Sequence, residues 1–237
     1  MSTNGTISAL KSRGWAVVAS DRPENLKVFR DTFEEAVRVQ LPEDIQNVPF
    51  PEVFSKVESS LLNSIFRTVN YSLMDETKKV LGAFHRTITG LCGTTIYFQK
   101  RLYLRVNVPG KDHTATPAHS DTFYGHSPYA YTIWIPMWDV TDQSGIWIMS
   151  RQQTADVLSQ YKFDSAVEKL LTDKHARPES IVMKFGEALF FECGLLHGSR
   201  TNEGKKPRVS FDIRVQSPVH PLFQKGFDLY GIWNQAA

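Results

Sequence analysis

The sequence has few cysteines, no long hydrophobic run and almost no charge imbalance, and each shortage removes a class of function. Its two cysteines, Cys92 and Cys193, form no CxxC, so neither a disulfide framework nor a zinc knuckle is expected. Both read as reduced thiols of a cytoplasmic protein. No apolar stretch approaches the ~20 residues that a transmembrane helix needs. Met1–Leu10 is polar where a secretory signal would carry an apolar core. A formal net charge of +2 offers no strong field to nucleic acid or to an anionic membrane. Repeats, low-complexity tracts and linkers are also missing. What is there is 237 residues with 41% hydrophobic content, enough to bury one large core, so a single domain over 1–237 is expected. The expected partner is a small-molecule substrate, with a homodimer the one assembly kept in view.

The hydrophobic pattern divides this domain into a helical flank over about 1–93 and a strand-rich core over about 94–217. The flank holds one early strand, Trp15–Ala19, after Gly14. Ser20 and Asp21 before Pro23 supply a helix start, and Leu26, Phe29, Phe33 and Val37 then recur at helical spacing, with Ala36 less regular. Further helices are expected over about 54–69 and 75–91, the last ending at Gly93. From residue 94 the period becomes two. Leu102, Leu104, Val106 and Val108 fall on one face and Tyr103, Arg105 and Asn107 on the other. Strands follow at 131–138, 146–149, 181–185, 188–193 and 208–215. A helical insertion over about 152–176 carries Val157, Leu158, Tyr161, Val167, Leu170 and Leu171. The fold class is α+β: a small β-barrel or sandwich with the N-terminal helices packed on one side.

Within the core, His119-Ser120-Asp121 is followed far downstream by His197, and eleven residues later by Arg208. Two imidazoles and one carboxylate are the donor set of a non-haem Fe(II) site with open positions. On a strand, His119 and Asp121 would point to one side and Ser120 to the other. Arg208 and Ser210 share a strand face, where a cationic fork can hold the far carboxylate of a dicarboxylic acid. The plainer reading makes the H-x-D triplet a surface pair and His197 an ordinary strand histidine. The strand-turn-strand context of Phe190–Asn202 and Lys206–Ser210, with polar groups at the junction, favours the metal.

These residues carry a family resemblance. Thr132–Gly145 resembles the segment after the H-x-D motif in phytanoyl-CoA-dioxygenase-like enzymes, and His197-Gly198-Ser199, Asn202 and Arg208 resemble that superfamily's distal histidine and co-substrate arginine. The signature from His119 to Pro128 looks closest to bacterial oxygenases of carbohydrate and surface-polysaccharide clusters, with relatives in aminoglycoside clusters. The resemblance covers about 97–216, and more weakly 14–38. It implies a double-stranded β-helix (jelly roll), with Fe(II) on His119, Asp121 and His197, 2-oxoglutarate as co-substrate and O2 as oxidant. An intact carboxylate at Asp121 is similar to the hydroxylases of the superfamily rather than its halogenases. One departure stands out: Ser150-Arg151-Gln152 occupies the place of a frequent Gly-Ser-His trio, which bears on substrate rather than on iron.

Around this centre, Thr132 and Asn107 are candidates to hydrogen-bond the co-substrate, against a plainer role as sheet polars. Asn202 reads as a turn former. Phe123, Tyr124 and His126 follow the H-x-D motif on a loop that can overhang the metal, where aromatic faces suit a sugar ring. Arg105 and Arg214 would face the barrel interior and offer a place for a phosphate or carboxylate. The expected activity is hydroxylation, or another C–H oxidation, of a small polar metabolite, preferentially a sugar-containing one. The same chemistry on an amino acid or peptide-like product is the alternative. A non-catalytic metal- or sugar-binding jelly roll is the reading of another class, and the triad together with Arg208 would be superfluous in it.

Overall fold

A computed structural model describes residues 3–160, 179–223 and 229–235. The chain opens with α1 (Thr3–Arg13), which Gly14 ends at a φ of +88°, a backbone conformation that favours glycine. Strand β1 (Trp15–Ala19) follows, then α2 (Pro23–Arg38) with its proline in the first turn. Leu26, Phe29, Phe33 and Val37 of α2 are fully buried, as their helical spacing requires. Ser20 and Asp21 do not cap this helix. Ser20 Oγ and Asp21 N both donate to Ala83 O, at 2.8 and 2.7 Å.

That capture explains a difference from the sequence pattern. After α3 (Ser59–Ser72), the helix expected over 75–91 is split into α4 (Thr77–Gly82) and α5 (His85–Cys92). The Ala83 carbonyl is held by the turn before α2, and Asp21 Oδ2 receives Arg86 N at 2.8 Å to start the second piece. Gly93, at φ +87°, ends it.

The strand expected over 97–108 is also two pieces, β2 (Thr95–Gln99) and β3 (Tyr103–Asn107). Both pair with β9 (Arg208–Gln216), but Phe98 faces Val215 while Tyr103 faces Asp212. The extra residues between those pairs bulge out and bend the strand. Remaining strands are β4 (Tyr131–Pro136), β5 (Ile146–Ile148), β6 (Glu179–Ser180), β7 (Glu187–Glu192), β8 (His197–Ser199) and β10 (Tyr230–Asn234). The large antiparallel sheet runs β1-β7-β4-β9-β2-β10, with β3 paired to β9, and the small one runs β6-β5-β8. Strand β10 lies beyond the boundary expected at 217 and pairs with β2. Of the stretch expected as a strand over 181–185, Met183 makes an isolated bridge to Val140.

Alternation sorts β9 into two sets. Val209, Phe211, Ile213 and Val215 enter the core shared with the helices, where Phe211 meets Phe29 and Phe33 edge-on at 5.1 Å each. Each such buried phenylalanine stabilises by about 1.5–3 kcal/mol. Arg208, Ser210, Asp212, Arg214 and Gln216 turn to the opposite face and are also buried. On that face the large sheet meets the small one through Trp15, Trp134, Leu189, Phe191, Ile146 and Ile148. The molecule is thus layered as helices, large sheet, small sheet, with a charged row between the sheets.

Helix α6 (Arg151–Ser159) takes the first part of the expected insertion, and the rest, Tyr161, Val167, Leu170 and Leu171 included, lies outside the described residues. Ser150, in the place of the family's trio, caps α6 in a reciprocal box with Gln153. Among the described residues, no helix is long and apolar enough to cross a membrane.

Candidate metal centre

The site forms where the loop from β3 to β4 meets the start of β8. His119 and His197 face each other as an antiparallel bridge, each amide donating to the other's carbonyl at 2.9 Å. Asp121 departs from the expected strand geometry: it begins a short 3-10 turn, Asp121–Tyr124. Ser120 Oγ accepts from Thr122 N at 3.3 Å and donates to Cys193 O at 2.8 Å, and Gly125 at φ +81° closes the turn. That amide also reaches Cys193 O at 3.3 Å, so the serine hydroxyl shares it with a backbone carbonyl. The turn still brings Asp121 back to the histidines, and ligand atoms of His119, Asp121 and His197 all lie within 4.8 Å of one another. Two bonds of about 2 Å to one ion span at most ~4 Å, so the most distant of these atoms would draw in by under an ångström on binding.

The histidines are oriented for metal. Nδ1 of His119 lies 2.8 Å from Pro117 O, and Nδ1 of His197 lies 3.0 Å from Leu195 O. A carbonyl only accepts, so each Nδ1 carries the proton and each Nε2 presents its lone pair. Burial depresses the pKa of both imidazoles, that of His197 to about 4, and keeps them neutral at pH 7. Asp121 is the reverse case. Burial pushes its pKa up, but the Arg214 guanidinium, His197 and the hydrogen bonds from Arg214 and Thr132 outweigh that and hold it well below the usual carboxylate range.

Arg208 is buried on β9, donates from Nη1 to Ser210 Oγ at 3.1 Å and stacks 5.2 Å over Trp134. Its Nε is buried with no partner among the described residues. Burial first, and then the charge of Arg105, lower its pKa to about 10. A narrow cavity connects this guanidinium to His119 and His197, lined also by Trp134, Ser199 and Asp212. The donor set fits iron: two neutral nitrogens and one carboxylate leave a face open. The unpartnered buried guanidinium edge fits a carboxylate of the co-substrate.

Other candidates are placed differently. Thr132 Oγ1 donates to Asp121 Oδ2 and so holds that carboxylate in place. Asn107 Nδ2 donates to Arg200 O at 2.9 Å, holding the loop after β8. Asn202 fixes the following turn, as expected, donating to Asn107 O and Lys206 O at 2.9 Å. Arg214 is spent on Asp121 and Asp212. His126 is buried, with Nδ1 3.1 Å from Tyr230 Oη on β10. Phe123 and Tyr124 are exposed, and the Tyr124 ring lies 5.4 Å from that of His119. Arg105 stands at the cavity wall. Asp212, unmarked in the sequence pattern, receives both Arg105 Nε and Arg214 Nη1 at 3.2 Å. Gly198, of the His197-Gly198-Ser199 motif, leaves room for a neighbour: a Cβ there would stand 2.8 Å from the Trp147 ring.

The pattern of the phytanoyl-CoA dioxygenase (PhyH) family matches residues 17–210, while no curated protein matches the chain. Among solved structures, the non-haem α-ketoglutarate-dependent carbocyclase SnoK of nogalamycin biosynthesis is 14% identical with a TM-score of 0.58, covering 90% of this chain and 83% of its own. The epimerase SnoN, solved with Fe3+, α-ketoglutarate and nogalamycin RO, is 13% identical with a TM-score of 0.54, covering 91% and 84%. ThoJ, a non-haem monooxygenase solved with nickel, is 15% identical with a TM-score of 0.50, covering 96% and 78%. At these identities the likeness is one of fold. The family match spans most of the sequence, and on it the chain belongs to the phytanoyl-CoA dioxygenase family of non-haem, 2-oxoglutarate-dependent enzymes.

Proposed function

We propose that the whole chain is one oxygenase domain whose two sheets form a double-stranded β-helix, and that it oxidises a C–H bond of a small metabolite. In this reading His119, Asp121 and His197 hold Fe(II), and Arg208 with Ser210 takes the distal carboxylate of 2-oxoglutarate. The observation that carries it is the pairing of two features in one cavity: histidines presenting unprotonated Nε2 atoms, and a buried arginine edge with no partner.

When bound, iron supplies O2 activation coupled to decarboxylation of 2-oxoglutarate to succinate. The chain supplies geometry and electrostatics. Pro117 O and Leu195 O fix the two imidazole tautomers. Arg214 and Thr132 keep Asp121 ionised and orient it. Trp134 and Phe191 exclude water around the co-substrate.

The signature from His119 to Pro128 supports a sugar-containing substrate. The nogalamycin enzymes among the structural neighbours favour natural-product tailoring as the setting. The test is aerobic incubation with Fe(II) and 2-oxoglutarate, reading succinate. Iron-dependent succinate that disappears in His197→Ala is the expected result. Absence of both succinate formation and anaerobic 2-oxoglutarate binding in the unmodified protein would overturn the reading.

A further inference from the structure

A second cleft, about 820 Å3 with its open mouth, lies between α3, the outer edge of β3 and the loop over 113–117. It shares two wall residues, Arg105 and Thr116, with the metal-facing cavity. Strand β3 pairs only with β9 among the described residues, so its other edge faces this cleft. Leu104 N donates outward to Asn70 Oδ1 at 3.0 Å and Val108 N to Thr114 Oγ1 at 2.9 Å. By the alternation of a strand, the amide of Val106 between them points the same way, into the cleft.

The cleft is polarised. Leu62 and Phe66 of α3 give it an apolar wall, and among the described residues no carboxylate lines it. At the shared wall, Arg105 gives its Nε to Asp212 at 3.2 Å, while its terminal nitrogens have no hydrogen-bond partner among the described residues. Asp212 cannot neutralise it fully, because Arg214 shares that carboxylate. Between the sheets, Arg105, Arg208 and Arg214 stand against Asp121 and Asp212, which leaves one positive charge over. A divalent metal and a dicarboxylate co-substrate would cancel each other and leave that excess in place. Phe123 and Tyr124, on the loop that the sequence pattern put forward for substrate, line neither cavity.

We infer that this cleft is the substrate compartment, and that it takes a molecule with an apolar-faced body and an oxyanion, carboxylate or phosphate, gripped by Arg105 at the passage to the metal. This rests on the oxygenase reading above and adds the substrate's charge and its side of approach. Arg105 is suited to that grip, because its Nε bond to Asp212 fixes the plane of the guanidinium and leaves the outer fork for a bidentate partner.

The test uses the metal- and 2-oxoglutarate-loaded protein under anaerobic conditions, with Arg208 thereby occupied, and three probes: phenyl phosphate, phenylacetate and neutral benzyl alcohol. Saturable binding of at least one acidic probe is expected, and the tighter of the two tells phosphate from carboxylate. Benzyl alcohol should bind about tenfold or more weakly, the difference one charge-assisted contact makes. Arg105→Gln should abolish that preference, and Arg105→Lys, which keeps the charge without the fork, should retain part of it. Asn63→Trp, an exposed position of α3 at the cleft wall, should block both acids. No acidic binding, equal binding of the alcohol, or indifference to both Arg105→Gln and Asn63→Trp would overturn the inference. Failure to load 2-oxoglutarate, read by direct titration before any probe is added, would instead overturn the oxygenase reading.

Discussion

Arg214 closes the back of Asp121: its Nη2 lies 2.6 Å from Oδ1 and its Nε 3.3 Å from Oδ2, with both side chains 2% exposed. With Thr132 also on Oδ2, the carboxylate is held ionised and offers a metal little beyond Oδ1. Removing one partner of a buried ion pair strands the other, at about 3–5 kcal/mol. Arg214→Gln is therefore expected to lower the urea-unfolding stability of the metal-free protein by about that amount, and to weaken Co(II) binding measured by titration. Arg214→Lys keeps the charge without the fork and should fall between. Unchanged stability and metal affinity in Arg214→Gln would show that Thr132 alone orients Asp121.

Arg208→Ala separates co-substrate from metal. Because Arg208 is buried with Nε unpaired, its loss should weaken 2-oxoglutarate binding by about 2–5 kcal/mol while metal affinity persists. Calorimetric titration of each ligand reads the two separately. Equal 2-oxoglutarate affinity in the variant would assign the anchor to Arg105.

The buried histidines predict a pH dependence for the metal-free protein. His197 has its pKa lowered from 6.5 to about 4 by burial, so between those values the unfolded chain binds a proton that the folded chain refuses. Stability should be full above about pH 7 and fall as pH drops through that window, at up to about 1.4 kcal/mol per pH unit for each such histidine. His197→Gln should flatten the profile. A melting temperature independent of pH from 7 to 5 in the unmodified protein would contradict neutral burial.

The segment after Asp121 should divide by burial. Phe123 and Tyr124 are 50% and 61% exposed, so replacing either by Ala should change stability by no more than about 0.5 kcal/mol. His126 bonds Tyr230 in the interior, and His126→Ala should cost about 1–3 kcal/mol by leaving that hydroxyl short of a partner. Thermal melts of the three variants decide this. Equal effects would mean that the loop behaves as one unit.

How much of this was legible in the sequence follows from the range of each cause. His119, Asp121, His197 and Arg208 carry their chemistry in residue type and spacing, and their convergence needed only a chain that folds back. Asp212 shares the alternate face of Arg208, Ser210 and Arg214, so the period-two signal was present. A lone acid in a strand reads as a solvated polar, however, and only the register opposite Tyr103 and Trp134 sets it between two guanidinium groups. For Asn107 and Thr132 the periodicity gave the strand but not the bonding partner. The break between α4 and α5 had only Gly82 as a local signal, because the groups that take the Ala83 carbonyl are Ser20 and Asp21, distant in sequence. Asp121 left its expected strand for a short turn that the Ser120 hydroxyl caps, sharing the Thr122 amide with Cys193 O.

The mutual backbone bridge of His119 and His197 sets their rings 4.2 Å apart before any ion arrives. Such a socket is preorganised, and preorganised nitrogen donors follow the general affinity order of divalent ions, in which nickel, copper and zinc rank above iron. Discrimination then falls to supply rather than to fit. A preparation eluted from a nickel resin is expected to carry that resin's ion in its active site, and stripping followed by anaerobic ferrous loading belongs at the start of any assay.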